Sequence, residues 1–147
     1  MEKTISEQFL EKYKKESKYI KFEPNKPIEI KWWGVEKWGQ VPDRRSGEMK
    51  EVVQYLVKLP TGEYKIITTA SISLISRFAE IYHERQLKGD KAVKLKITQI
   101  KKRVGENIIR TSYEVNVLGE LVLYPEDIRA AKEFLELTEE IKEENYE

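Results

Sequence analysis

The sequence contains no cysteine, and it has one histidine among its 147 residues. The lack of cysteine excludes a disulfide framework and a thiolate metal site. His83 lies near the end of a predicted helix with no second histidine or cysteine nearby, so we interpret it as a surface residue. The glycines are scattered singly, which excludes a phosphate-binding loop of the GxxxxGK type. We therefore expect no catalytic site, no metal and no cofactor.

Long apolar runs are also missing. No segment approaches the length of a membrane span, and the N-terminal MEKTISEQF is charged and lacks the apolar core of a signal peptide. We expect a soluble, cytoplasmic chain with one domain. Charged residues make up 36% and hydrophobic residues 39% of the sequence. This composition, rich in Lys and Glu, is typical of a thermophile.

The small net charge hides a strong asymmetry. Residues 126 to 147 carry nine acids and three bases, a charge of −6, so the remainder carries +7 to give the net +1. A basic body with an acidic tail is typical of a polyanion-binding domain whose tail competes for the same surface or recruits a partner. A charged thermophile surface with a solvated last helix explains the same counts.

Hydrophobic periodicity predicts the order helix, strand, strand, strand, helix, strand, strand, helix. The predicted elements are a helix over 4–19, a strand over 28–38 bent at Gly34, a hairpin over 52–69, a helix stopped by Gly89, strands over 92–100 and 108–118 separated by a turn, and a helix that begins at Pro125 with an apolar seam of Ile128, Ala131, Leu135 and Thr138. Five strands with a helix between the third and fourth have the order of an OB-fold, a small Greek-key barrel. We predict a mainly β, α+β chain: an N-terminal helix (1–19), a five-stranded OB-fold-like barrel (20–118) and a C-terminal acidic helix and tail (119–147).

Three stretches carry a further likeness: YIKFEPNKPIEIKWWGVEKWG, YLVKLPTGEYKIITTAS and VKLKITQIKKRVGENIIRTSYEV. Together they resemble the small OB-fold single-stranded DNA-binding proteins of archaea, their viruses and plasmids. The resemblance covers about two-thirds of the chain. It implies a non-enzymatic, sequence-tolerant binder of single-stranded DNA that acts in replication, recombination or repair.

All three tryptophans lie within residues 30–39. Trp32 shares the face of Ile28 and Ile30, so we expect it in the core. Trp33 shares the other face with Glu29 and Lys31, which favours a binding surface. Trp38 follows the bend, where it lies either on the rim of a groove or as a lid over the barrel end.

Single-strand binders of this fold stack bases on aromatic rings and neutralise phosphates in a basic groove. We expect stacking on Trp33, Trp38 and Tyr64, although Tyr64 fits the core equally well. We expect phosphate contacts from two loops that face one groove and from the two strands of the hairpin. The residues are Arg44 and Arg45 in the first loop, Lys58 and Lys65 on the hairpin, and Lys101, Lys102 and Arg103 in the second loop. Arg110 extends the path. The alternative is that both loops are ordinary solvated turns.

Several functional alternatives stay open. The residues do not distinguish DNA from RNA, because stacking and phosphate contacts serve both. The acidic tail either occupies the groove in the free protein or holds a replication protein. The second class of function is a non-catalytic protein-interaction module, in which the terminal helices form a homodimer or dock on a larger complex.

Overall fold

A computed structural model describes residues 2–8, 18–43, 45–88 and 90–137. The strands are β1 Ile28–Trp32, β2 Glu36–Pro42, β3 Met49–Lys58, β4 Tyr64–Thr69, β5 Ala92–Gly105 and β6 Ile108–Leu121. The helices are α1 Ile72–Arg85 and α2 Pro125–Glu136. Residues 5–8 are also helical, and the rest of the helix predicted over 4–19 lies largely outside the described residues.

The six strands form one antiparallel sheet. β3 pairs with β4 on one side and with both β1 and β2 on the other, while β1 continues to β5 and β5 to β6. The chain is therefore mainly β with flanking helices, as predicted. The predicted count of five strands is wrong for this sheet, because the first predicted strand is divided into β1 and β2.

The division lies at Trp33–Val35. Lys31 pairs with Lys58, and Glu36 pairs with Tyr55. Between these two pairs, the chain covers five residues from Lys31 to Glu36 but only three along β3. Two extra residues bulge out, and Gly34 accommodates them with a φ of +87°. A Cβ at Gly34 would meet the Leu87 carbonyl oxygen at 2.6 Å, so the backbones approach closely here. The bend predicted at Gly34 is confirmed.

The core lies between the inner face of the sheet and α1. Trp32 is fully buried, as predicted, with its ring centroid 4.6 Å from that of Phe78, and Phe78 stacks on Tyr55 at 4.1 Å. The Ser71 side chain accepts a hydrogen bond from Leu74 N and begins α1. The helix ends at Arg85 with Gln86 in the left-handed conformation, so the predicted stop at Gly89 is wrong. Gly89 itself lies outside the described residues.

Residues 18–25 cross from one part of the sheet to another. Ile20 N donates to the Ile66 carbonyl of β4 at 2.9 Å, and Asn25 N donates to the Gln99 carbonyl of β5 at 2.8 Å. Between these bonds Phe22 packs edge-on against Tyr113 of β6. The segment thus joins both halves of the sheet and covers the core.

The outer face of the sheet is covered by α2. Phe134, Ala130 and Ala131 of this helix pack on a second apolar cluster that includes Trp33 and Leu56. The predicted seam is correct for Ala131 and wrong for Ile128 and Leu135, which are more than half exposed, whereas Asp127 and Phe134 are buried. Thr138 of that seam lies outside the described residues. The helix is rotated because Asp127 turns inward to meet lysines on the sheet.

A hairpin arm extends from β5 and β6. Residues 101–111, which we name the basic arm, are all exposed, and their strands stay paired from Lys101↔Thr111 to Gly105↔Ile108. The turn at its tip is Glu106–Asn107, with Asn107 at a φ of 62°. The predicted turn over 101–107 is wrong, because cross-strand pairing holds this charged segment in strands.

Candidate nucleic-acid interface

The basic arm carries cations that nothing in the described chain neutralises. Lys102 and Arg110 lie directly opposite each other on the two strands. Like charges in this position destabilise a hairpin. Lys101, Lys102 and Arg110 make no hydrogen bond or ion pair with any described residue, and Arg103 only donates to the Gly105 carbonyl at 3.4 Å. The arm is therefore a surface whose repulsion an external anion would relieve.

A second basic feature crosses the outer face of the sheet. Lys58 of β3 pairs with Lys31 of β1, and Lys31 pairs with Lys94 of β5. Directly paired residues point to the same face, so three ammonium-bearing side chains stand in one row. We name these three residues the lysine row. Lys102 shares the outward parity of Lys94 along β5, so the row and the basic arm lie on one continuous ribbon.

Asp127 of α2 is the anion that holds most of the lysine row. Its side chain is fully buried and accepts from Lys31 Nζ at 2.7 Å, Tyr64 Oη at 2.6 Å, Lys58 Nζ at 3.1 Å and Tyr124 N at 2.9 Å. Burial alone would raise the pKa of Asp127. The hydrogen bonds from Lys31, Tyr64 and Tyr124 outweigh burial and hold that pKa well below its ordinary range. The carboxylate stays ionised and fixes the start of α2 on the sheet.

Glu126 contributes a second, more exposed carboxylate. It accepts from Lys58 Nζ at 2.8 Å while its own side chain remains 63% exposed. This hydrogen bond is the main reason that the pKa of Lys58 is raised. Burial, and after it the hydrogen bond to Asp127, raises the pKa of Tyr64 to about 12. Lys58 and Tyr64 are therefore charged and neutral, respectively, at ordinary pH.

The other end of α2 is fixed by Lys37 of β2. Its Nζ donates to the Phe134 carbonyl at 2.7 Å and to the Leu137 carbonyl at 3.0 Å, and it lies 4.2 Å from the Phe134 ring centroid. A cation at a helix C-terminus donates hydrogen bonds to the carbonyls that have no partner within the helix, and it interacts favourably with the negative end of the helix dipole. Lysines of the sheet thus hold both ends of the acidic helix.

This packing overturns part of the predicted site. Trp33 faces outward from the sheet as expected, yet it is only 3% exposed because Phe134 and Tyr64 pack against it. Its Nε1 finds no hydrogen-bond acceptor among the described residues. The prediction of Trp33 as an exposed stacking residue is therefore wrong. Lys58 and Tyr64 are brought together, but around Asp127 and not along an open groove.

The predicted first loop is a short hairpin turn. Asp43 Oδ1 accepts from Arg45 N and Ser46 N, which closes the turn and leaves Arg45 exposed. Arg44 lies outside the described residues. The register places this turn after β2 and the basic arm beyond the opposite, N-terminal end of β1. The two basic segments therefore lie at opposite ends of the β1–β2 ribbon. Lys65, the remaining predicted cation, lies 3.5 Å from Glu63 with its side chain largely buried.

Trp38 lies on the opposite face from the lysine row. It pairs with Val53 on the core side of the sheet and is 75% exposed. A cavity of about 390 Å³ lies beside it, with Ile75 and Ala79 of α1 on its far wall. Burial raises the pKa of Glu36 at the edge of this cavity. The placement of Trp38 on the rim of a groove or as a lid over the barrel end stays a prediction.

Sequence reasoning missed four contributors to the outer face: Lys31, Lys94, Tyr124 and Asp127. The alternation of β1 and β5 places Lys31 and Lys94 outward, so the sequence contained a signal for them. Asp127 gave no comparable signal, because it is one acid among nine in the last 22 residues. Its burial depends on where α2 docks.

Within the described ranges, no helix is long and apolar enough to cross a bilayer, and no group of three or more histidine or acidic side chains could hold a metal ion. Comparisons with protein-family models, with curated proteins and with solved structures give no match for this chain.

Proposed function

We propose that this chain is a non-catalytic binder of single-stranded DNA, in a partly open OB-fold-like barrel. The strand order supports the fold: β4–β3–β1–β5–β6, with β2 prolonging β1 and α1 between β4 and β5, corresponds to the sheet of such a barrel before closure. Residues 18–25 then bridge the gap by bonding to both β4 and β5.

The observation that carries the proposal is the basic arm. Its cations project from the body of the protein, and Lys102 opposes Arg110 with no acid from the described chain between them. The phosphates along a single strand of DNA would pair with the cations of this ribbon. Their neutralisation releases counterions from the DNA, and this release favours binding. A folded chain that served no anion would gain stability by exchanging one of these cations for an acid.

The arm also favours single strands over duplex. Its cations are interspersed with the exposed apolar side chains Val104, Ile108 and Ile109, each more than half accessible. Unpaired bases offer apolar faces that such side chains contact, whereas a duplex buries its base faces in the stack. Stacking and apolar contacts with base faces carry no sequence code, so binding is expected to tolerate any sequence.

The test measures the affinity for labelled oligo-dT by fluorescence anisotropy across a range of salt concentrations. The arm variant replaces three cations with glutamine: Lys101→Gln, Lys102→Gln and Arg110→Gln. For single strands, each phosphate contact contributes about −0.7 to the slope of log K against log [salt]. The loss of three contacts should therefore make the slope shallower by up to about 2. A matched variant neutralises three exposed cations, one at the last residue of α1 and two beyond it: Arg85→Gln, Lys88→Gln and Lys91→Gln.

The matched variant changes the net charge equally and should keep most of the wild-type slope. Equal effects of the two variants would show a general charge effect and remove the basis for the arm. No binding by wild type at low salt would refute DNA binding outright. Oligo-U in the same assay decides the nucleic acid: tighter binding of oligo-U than of oligo-dT would replace DNA with RNA as the ligand.

A further inference from the structure

A cleft lies beside the lysine row on the outer face of the sheet. It has a volume of about 400 Å³ and lies between the β3–β4 turn at Pro60–Gly62 and the connection from β6 to α2. All members of the lysine row line it, together with Glu29 and Tyr124. We name it the lysine cleft. Its size suits one nucleotide, and its cations come from three adjacent strands.

Tyr124 supplies an aromatic surface at this cleft. The residue is half exposed, and its ring centroid lies 4.5 Å from Lys31 Nζ and 5.4 Å from Lys58 Nζ. The two ammonium groups hold the ring in place by cation–π attraction. An ordered, accessible ring beside cations has the chemistry of a base-stacking site in single-strand binders.

The charges in the cleft balance only when Glu126 is counted. Three cations of the lysine row meet Asp127, Glu126 and Glu29, which lies 3.3 Å from Lys94, so the sum is 3 − 3 = 0. The two carboxylates of α2 differ in how they are held. Asp127 is buried with four donors, whereas Glu126 is mostly exposed and bonded to Lys58 alone. The Lys58 side chain is 12% exposed, but the Glu126 side chain is mostly in solvent, so its carboxylate can leave Lys58 for water and is exchangeable.

We propose that the lysine cleft is a nucleotide subsite, in which a phosphate of the bound strand displaces the Glu126 carboxylate from Lys58 while the base stacks on Tyr124. Glu126 then acts as a built-in competitor that keeps the subsite neutral when no nucleic acid is bound. Asp127 stays in place throughout and keeps α2 docked. This inference rests on the proposed single-strand binding and adds a second contact region to the basic arm.

The decisive variant is Glu126→Gln in the full chain. Removing the competing anion should tighten oligo-dT binding by about two- to five-fold, the range expected for an exposed ion pair. The matched control is Glu133→Gln, an exposed acid on the same helix that makes no hydrogen bond or ion pair with any described residue. It changes the net charge equally, so its effect measures the general electrostatic gain.

The second variant, Tyr124→Leu, removes the ring and should weaken binding by about 5- to 150-fold, the range for one lost base stack. Chemical denaturation first verifies that this variant is folded; if it is not, Glu126→Gln decides alone, because Glu126 is exposed and peripheral. Equal affinities of Glu126→Gln and Glu133→Gln would overturn the subsite. That outcome, with wild type still binding through the arm, leaves the proposed function standing. A wild type that binds no oligonucleotide refutes both.

Discussion

Asp127→Asn tests how α2 is held on the sheet. The substitution keeps the size of the side chain and removes its charge. The amide offers one oxygen where the carboxylate offers two, and its NH₂ group would face amino or hydroxyl donors. If the amide oxygen faces Lys58 and Tyr64, Lys31, whose side chain is 9% exposed, keeps only the Val122 carbonyl as a described acceptor.

The expected loss follows from burial. Breaking a buried ion pair by removing one partner costs about 3–5 kcal/mol, because the remaining charge is left without compensation. Asp127 is fully buried and accepts four hydrogen bonds, so we expect the loss of its charge to cost an amount in this range and not the smaller amount typical of a surface ion pair. A domain of this kind has about 5–15 kcal/mol of stability in total. The variant should therefore lose a large share of it.

Urea denaturation at neutral pH, monitored by circular dichroism, measures the change. The control is Glu126→Gln, the neighbouring acid with a 63% exposed side chain, which should cost about 1 kcal/mol or less. A loss below about 1 kcal/mol for Asp127→Asn would refute the anchor. A double replacement by apolar residues, Lys31→Met with Asp127→Leu, should recover part of the loss, because the buried charge of Lys31 is removed as well and Lys58 keeps Glu126 as its partner.

The same carboxylate predicts the acid behaviour of the fold. Its pKa is lower in the folded chain than in the unfolded chain, so its contribution is complete above the unfolded value of about 4. That contribution is lost as the pH falls from there towards the folded pKa. The difference in unfolding free energy between wild type and Asp127→Asn should therefore narrow below about pH 4. A constant difference from pH 7 to pH 2 would contradict the assigned charge state.

Two further substitutions test the bend and the second apolar cluster. Gly34→Ala should lower the free energy of unfolding by more than about 3 kcal/mol in chemical denaturation, because the strain of a positive φ is joined by a 2.6 Å contact with a backbone carbonyl. Gly62→Ala carries the same kind of φ strain but has open space, so it should cost only about 1 kcal/mol. Equal losses would refute the close approach. Phe134→Ala should cost about 3 kcal/mol and shift tryptophan emission to the red as Trp33 becomes hydrated, while Leu135→Ala, at an exposed position, should leave the emission unchanged.

The sequence predicted features that depend on local pattern. Alternation identified the inward face of β3, and the positions of Trp32 and Gly34 followed from strand periodicity and glycine conformation. Pro125 marked the first residue of α2, because proline is favoured in the first turn of a helix. Each of these signals is contained within a few residues, so no knowledge of the tertiary structure was needed.

The errors arose where distant segments meet. Trp33 does face away from the core, but whether that face is exposed depends on α2, which begins 92 residues later. The helical period of α2 suggested Ile128 and Leu135 for its buried side, whereas the helix turns towards Asp127 and Phe134. A hydrophobic pattern cannot anticipate a buried acid, because its partners lie on other strands. The cations of the basic arm were predicted, but its strand conformation was missed for a different reason: a charged strand exposed on both faces has no apolar alternation.

The charge asymmetry of the sequence acquires a structural meaning from these contacts. Part of the acidic segment neutralises part of the basic body within the chain, through Asp127 and Glu126 on the lysine row. Those lysines contribute to the +7 of the body, yet they do not attract a ligand as free cations would. The basic arm keeps its charge because α2 does not reach it. Under the proposed function, the arm would supply the long-range attraction of the nucleic acid. Closer contacts would come from lysines that an exposed carboxylate can release. Glu126 meets that condition, because its side chain is mostly in solvent, and Asp127 does not.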